Sequence, residues 1–140
     1  MIMNTLIKVL RWVLFIPAGC IAAVLVSFPV HWIMMLNFGS GDLIDLTSNP
    51  DTLSRVEWFL QGIFGPLAFT YASAKTAPNY NRTISILIGV AIIVLIPLAM
   101  HWFNTLDTEY VFDFSVSITL ANIVGVAGGV CLIWFQDWDT

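Results

Sequence analysis

His31 and His101 are the residues with which this chain could bind a cation or pass a proton, and each is followed directly by a tryptophan. Histidine changes charge near neutral pH, and an ionisable group inside a membrane span is by default a candidate functional site. The spacing that would make a metal centre is missing. There is no His-x-x-x-His, no Glu-x-x-His and no pair of intramembrane carboxylates, the patterns that place several ligands on one helix face. No metal and no cofactor is expected. Glu57 follows Ser54 at the spacing of a capping box, so its carboxylate is expected to serve the start of a helix. A phosphate-binding glycine loop, a nucleophile elbow and a redox cysteine pair are all absent, and no enzyme activity is expected. His31 and His101 are expected to form an outer-leaflet polar site in which they face one another, with a structural role.

The elements that must position these histidines are membrane spans. The chain has 140 residues, 59% hydrophobic and 10% charged, whereas soluble domains carry roughly a quarter charged residues. Four apolar runs, at about 12–36, 56–74, 84–103 and 114–135, each approach or exceed the ~20 residues that cross the hydrocarbon core. The expected fold is all-α and integral to the membrane: one domain over 1–140, four transmembrane helices in a bundle joined by short loops. Lys8, Arg11, Lys75 and Arg82 fall before the first run and in the second connection. The first and third connections hold Asp42, Asp45, Asp51, Asp107, Glu109 and Asp113. By the positive-inside rule both termini are cytoplasmic, with Trp12, Trp134 and Trp138 at the inner boundary and Trp32, Trp58 and Trp102 at the outer one. A bacterial-type inner membrane is the expected location.

Small residues recur along three of the runs. In the fourth, Ser117, Ala121, Gly125 and Gly129 stand four apart, with Asn122 beside them. In the first, Gly19, Ala23 and Ser27 lead to His31, and in the second, Gln61, Gly65, Ala68 and Ala72 share a face. Lipid offers no hydrophobic drive between helices, so close backbone approach across such faces is what holds them together. All of these positions are expected to pack helix on helix, and Gly125→Leu is expected to abolish association. The third run, Ile84 to Leu98, is mostly Ile, Val and Leu and is expected to face lipid. The repeated His-Trp pairs hint at two tandem hairpins, although little else aligns.

Pro17-Ala18-Gly19-Cys20 resembles a lipoprotein cleavage box, but the apolar segment before it, Trp12 to Ile16, is too short for a signal. Cys20 and Cys131 are expected to be small buried apolar residues, not a disulfide. The run Asn122-x-x-Gly125-x-x-x-Gly129 is similar to one in VanZ-like membrane proteins, where an acidic residue precedes the asparagine by four; Ile118 stands there in this chain, and the family is not assigned.

The expected partners are the lipid bilayer and other transmembrane helices, either of a second copy or of a larger membrane complex. The scattered basic residues exclude nucleic acid. The expected function is an interaction or assembly subunit working through helix contacts. The alternative is an oligomeric channel or transporter for a cation or small solute, with an acidic outer mouth.

Overall fold

The computed structural model describes residues 2–38, 50–78, 81–105 and 116–136. They form four helices, α1 (Ile2–Phe38), α2 (Pro50–Thr76), α3 (Asn81–Thr105) and α4 (Val116–Gln136). Asp42, Asp45, Asp107, Glu109, Asp113, the Gly39-Ser40-Gly41 stretch and Trp138 lie outside the described residues, whereas Asp51 falls in the first turn of α2.

Three of the helices contain a stretch long and apolar enough to cross a membrane: Asn4–Leu36 in α1, Arg82–Ala99 in α3 and Ser117–Gln136 in α4. The fourth apolar run expected from the sequence, at 56–74, is helical but does not meet that measure. The packing supplies the physical reason. α2 packs against all three other helices, so its Thr70 and Ser73 are covered by protein and need not be compatible with lipid. Thr70 and Ser73 are fully buried. Large apolar side chains on α1 and α3 point outward instead, among them Val13, Leu25, Leu87 and Leu98. Such a surface is stable against acyl chains and not against water.

The helices alternate in direction. Arg11 near the start of α1 meets the end of α2, and His31 towards the end of α1 meets Glu57 early in α2. Arg82 at the start of α3 lies over Trp134 near the end of α4. Consequently α2 and α4 run parallel, and residues 62, 63, 67 and 71 meet 121, 125, 129 and 136 in rising order. α2, α3 and α4 touch one another as a triangle, while α1 packs chiefly on α2. Only 11% of the α1 span is buried against 33% of the α4 span, which marks α1 as the flanking helix.

Glycine makes the closest contacts. A Cβ at Gly125 would collide with the Ile63 carbonyl, and one at Gly129 would sit 2.9 Å from the Leu67 carbonyl. On the other side of α2, a Cβ at Gly19 of α1 would collide with the Ser73 hydroxyl and come within 3.0 Å of the Phe69 carbonyl. A Cβ at Gly89 of α3 would lie 2.6 Å from Val126 of α4. In each case the missing side chain lets another helix close in, the contact that dispersion rewards in lipid.

α2 begins at Pro50, four residues earlier than the capping-box reading implies. Proline suits the first helical position because its missing N–H would be unpaired there anyway. Ser54 and Glu57 therefore lie inside the helix, and the carboxylate of Glu57 is released from the role expected of it.

Candidate functional site

Each end of the α1–α2 pair carries one polar device. At the basic end the Arg11 guanidinium donates to three carbonyls that close α2: Nε to Thr76 at 2.9 Å, and Nη2 to Lys75 at 3.2 Å and Ala77 at 2.9 Å. The last carbonyls of a helix have no partner within it and carry the negative end of its dipole, so a cation there answers both needs. Thr76 adds a back-bond to the Ala72 carbonyl at 2.8 Å, and the Ala77 amide closes on Ser73 at 3.1 Å. The Arg82 guanidinium sits 5.2 Å from the Trp134 ring centre, a cation–π contact between α3 and α4 at the same end.

At the opposite end His31 Nδ1 lies 2.8 Å from Glu57 Oε1. Gln61 Nε2 donates to that same oxygen at 2.9 Å, from one turn further along α2. A carboxylate only accepts, so Nδ1 carries the proton and Nε2 of the ring remains open to an outside partner. The imidazole is about half exposed and the carboxylate less so, at 48% and 23%. Along α1 the rise from Arg11 to His31 is about 30 Å at 1.5 Å per residue, matching the hydrocarbon thickness of a bilayer. His31 with Glu57 and the guanidinium of Arg11 are thus separated by about one hydrocarbon thickness along α1.

Between these ends, a cleft opens on the side of α2 flanked by α1 and α3. Its half nearer His31 has a volume of about 420 Å³ and is lined by Ala23, Trp58, Gln61, Gly65, Ile92 and Asn122, among others. All four helices contribute to its wall. Gly65 is the notable member, because a Cβ placed there would meet nothing within 4 Å. The half nearer Arg11 has about 480 Å³ and a wall that is almost wholly apolar.

The residues singled out in the sequence fall into three groups. Ala121, Gly125 and Gly129 are buried against α2, and Gly19 is buried against Ser73 and Phe69. Ala23, Gly65 and Asn122 line the cleft instead, and Ala68 and Ala72 are half-buried. Ser117 is exposed, and Ser27 turns its hydroxyl back onto the Ala23 carbonyl at 2.9 Å. His101 is exposed on α3, whereas His31 is taken by Glu57, so the structure gives His31 a partner other than the one expected. Cys20 and Cys131 are free thiols and, contrary to the expectation of burial, both are exposed, because each lies on a helix face that no neighbouring helix covers. Among the described residues no three His, Cys, Asp or Glu side chains converge on a common point.

Sequence reasoning missed the Arg11 latch and the Glu57 site. Arg11 entered only as a charge near a helix start, and the one available signal for its role was its place directly before the interfacial Trp12. The His31–Glu57 contact joins two helices at no repeating spacing. Two buried hydroxyls, those of Thr70 and Ser73, have no hydrogen-bond partner among the described residues. Both stand where a glycine of another helix has closed in, Gly129 and Gly19 respectively, so their burial follows from the approach.

No protein-family model, no curated protein and no solved structure matches this chain. The geometry alone carries the functional reading.

Proposed function

We propose that this chain is an interaction or assembly subunit: a four-helix membrane bundle that takes a further transmembrane helix into the cleft beside Gly65. The observation that supports the reading is the open space over that residue. Glycine within a helix costs about 1 kcal/mol relative to alanine. The other described glycines, Gly19, Gly62, Gly89, Gly125, Gly128 and Gly129, each have a neighbouring helix atom within 4 Å of the absent Cβ. Gly65 has none. A helix supplied from outside would give it the close approach that the others have, with the amides of Gln61 and Asn122 at hand for interhelical hydrogen bonds. The occupant is either a second copy or a larger partner.

The clustering of Lys8, Arg11, Lys75 and Arg82 at one end favours an orientation with that end, and both termini, in the cytoplasm. An inner cytoplasmic membrane is the proposed location. No chemical step is assigned to the chain.

Native mass spectrometry after gentle extraction from the chain's own membrane tests the proposal. Co-release with a defined larger protein, or as a discrete homo-oligomer, is the expected result. A bare monomer under conditions that keep other membrane complexes intact would overturn it.

A second reading, an oligomeric conduit for protons or a cation, is favoured by one observation, the His31–Glu57 pair with Gln61. A carboxylate and an imidazole in contact near the end of a span can take up a cation or hand on a proton. Against it, the cleft loses its polar groups within two turns of Gln61, and the Thr70 and Ser73 hydroxyls beyond are sealed from it. Flux through vesicles reconstituted with the chain, abolished by Glu57→Gln, would promote this reading over the first.

A further inference from the structure

The half of the cleft nearer Arg11 has an almost purely hydrocarbon wall and a cationic rim. Phe15 and Ile16 of α1, Phe69 of α2 and Leu87, Ile88 and Ala91 of α3 enclose about 480 Å³ that opens sideways, towards the place the acyl chains of a bilayer would occupy. Trp12 stands at its mouth, with its ring edge-on to Phe15 at 5.7 Å between centres. An indole favours the headgroup boundary, where one edge is apolar and the other wet. Lys8 precedes Trp12 by one helical turn on the same face and is exposed. No hydrogen bond or ion pair engages Lys8 among the described residues. The neighbouring Arg11 spends its hydrogen bonds on neutral carbonyls, so its positive charge persists. The described carboxylate Glu57 is at the other end of the helices.

We infer that this half of the cleft is a binding site for one anionic phospholipid, with an acyl chain lying along Phe69 between α1 and α3 and its phosphate held by Lys8 and the field of Arg11. Apolar walls select a hydrocarbon chain over a peptide, whose backbone groups would find no partner there. The rim selects the headgroup, since each basic residue near a membrane surface attracts anionic lipid by about 1 kcal/mol. The site adjoins the half of the cleft in which a helix is proposed to dock at Gly65, and Phe69, Ile92 and Ile96 line both.

Native mass spectrometry of the whole chain in detergent, with dioleoyl phosphatidylglycerol or dioleoyl phosphatidylcholine added at equal concentration, tests the site. Phosphatidylglycerol is expected to remain bound at collision energies that strip phosphatidylcholine. Lys8→Gln is expected to weaken phosphatidylglycerol retention about fivefold and to leave phosphatidylcholine unchanged. Ala91→Trp, which fills the cleft from α3, is expected to remove both lipids. Equal retention of the two lipids, or undiminished phosphatidylglycerol retention in Ala91→Trp, overturns the inference. A second measurement holds even if Ala91→Trp disturbs the fold. Phosphatidylglycerol brominated in its acyl chains should quench a tryptophan component that is absent from Trp12→Phe, and do so more than brominated phosphatidylcholine; equal quenching by the two lipids overturns the site.

Discussion

The two sides of α2 use the same residue type to opposite ends. On the side facing α4, Gly125 and Gly129 bring backbone against backbone at Ile63 and Leu67, and nothing larger than hydrogen fits between. On the side flanked by α1 and α3, Gly65 looks into a cleft with nothing over it. In a membrane, glycine is worth its loss of helix propensity where another surface comes close. The comparison separates contacts that build the chain from a contact that the chain offers, and substitutions at the two sides should behave differently.

The largest effect is expected from Gly125→Leu. Its side chain must enter backbone that cannot move aside as a flexible side chain can, and the cost is on the order of 3 kcal/mol. The seam between α2 and α4 opens and the unfolding midpoint in a detergent titration falls steeply. Loss of association in that variant would therefore report a damaged monomer. This revises the expectation from sequence, in which Gly125 met an outside partner.

Arg11→Gln comes next, at about 2 kcal/mol, because three carbonyls at the end of α2 lose a charged donor. Hydrogen exchange at the amides near residues 73–77 should accelerate while those of α4 do not. Arg11→Lys should rescue only in part, since a single ammonium cannot reproduce the fork of the guanidinium.

His31→Ala should cost less, about 0.5 kcal/mol, because the ring is half exposed and the pair is partly solvated. A double-mutant cycle with Glu57→Gln isolates the coupling between them. A coupling near zero would show that the contact in the structure adds nothing to the joining of α1 to α2.

A small effect of opposite sign is expected at Gly65→Ala. The added methyl meets open space, so helix propensity should stabilise the chain by up to about 1 kcal/mol. The same change at Gly129 should destabilise, since its Cβ would press on the Leu67 carbonyl and on Thr70.

What the sequence discloses follows from where each signal resides. Long apolar runs and a four-residue recurrence lie within single segments, so the apolar stretches of α1, α3 and α4 and the small-residue row of α4 are visible without a fold. The centrality of α2 is not visible in that way. Its Gln61, Thr70 and Ser73 lower its hydropathy, and only the packing shows that neighbouring helices cover Thr70 and Ser73. The Ser54 to Glu57 spacing misled because Pro50 is an acceptable helix start and the four residues between add a turn. His31 meeting Glu57, and Arg11 meeting Thr76, are contacts between helices that no periodicity encodes. Gly65 looked like one more member of a packing stripe. Its distinction lies in what is absent over it, and that requires coordinates.

The most direct test of the central claim is the mass of the gently extracted complex for Gly65→Leu beside the unaltered chain, with the folded state of each followed by its unfolding midpoint. The account predicts that Gly65→Leu folds with an undiminished midpoint yet leaves the membrane without the companion that the unaltered chain brings. A Gly65→Leu chain that keeps its companion would contradict it.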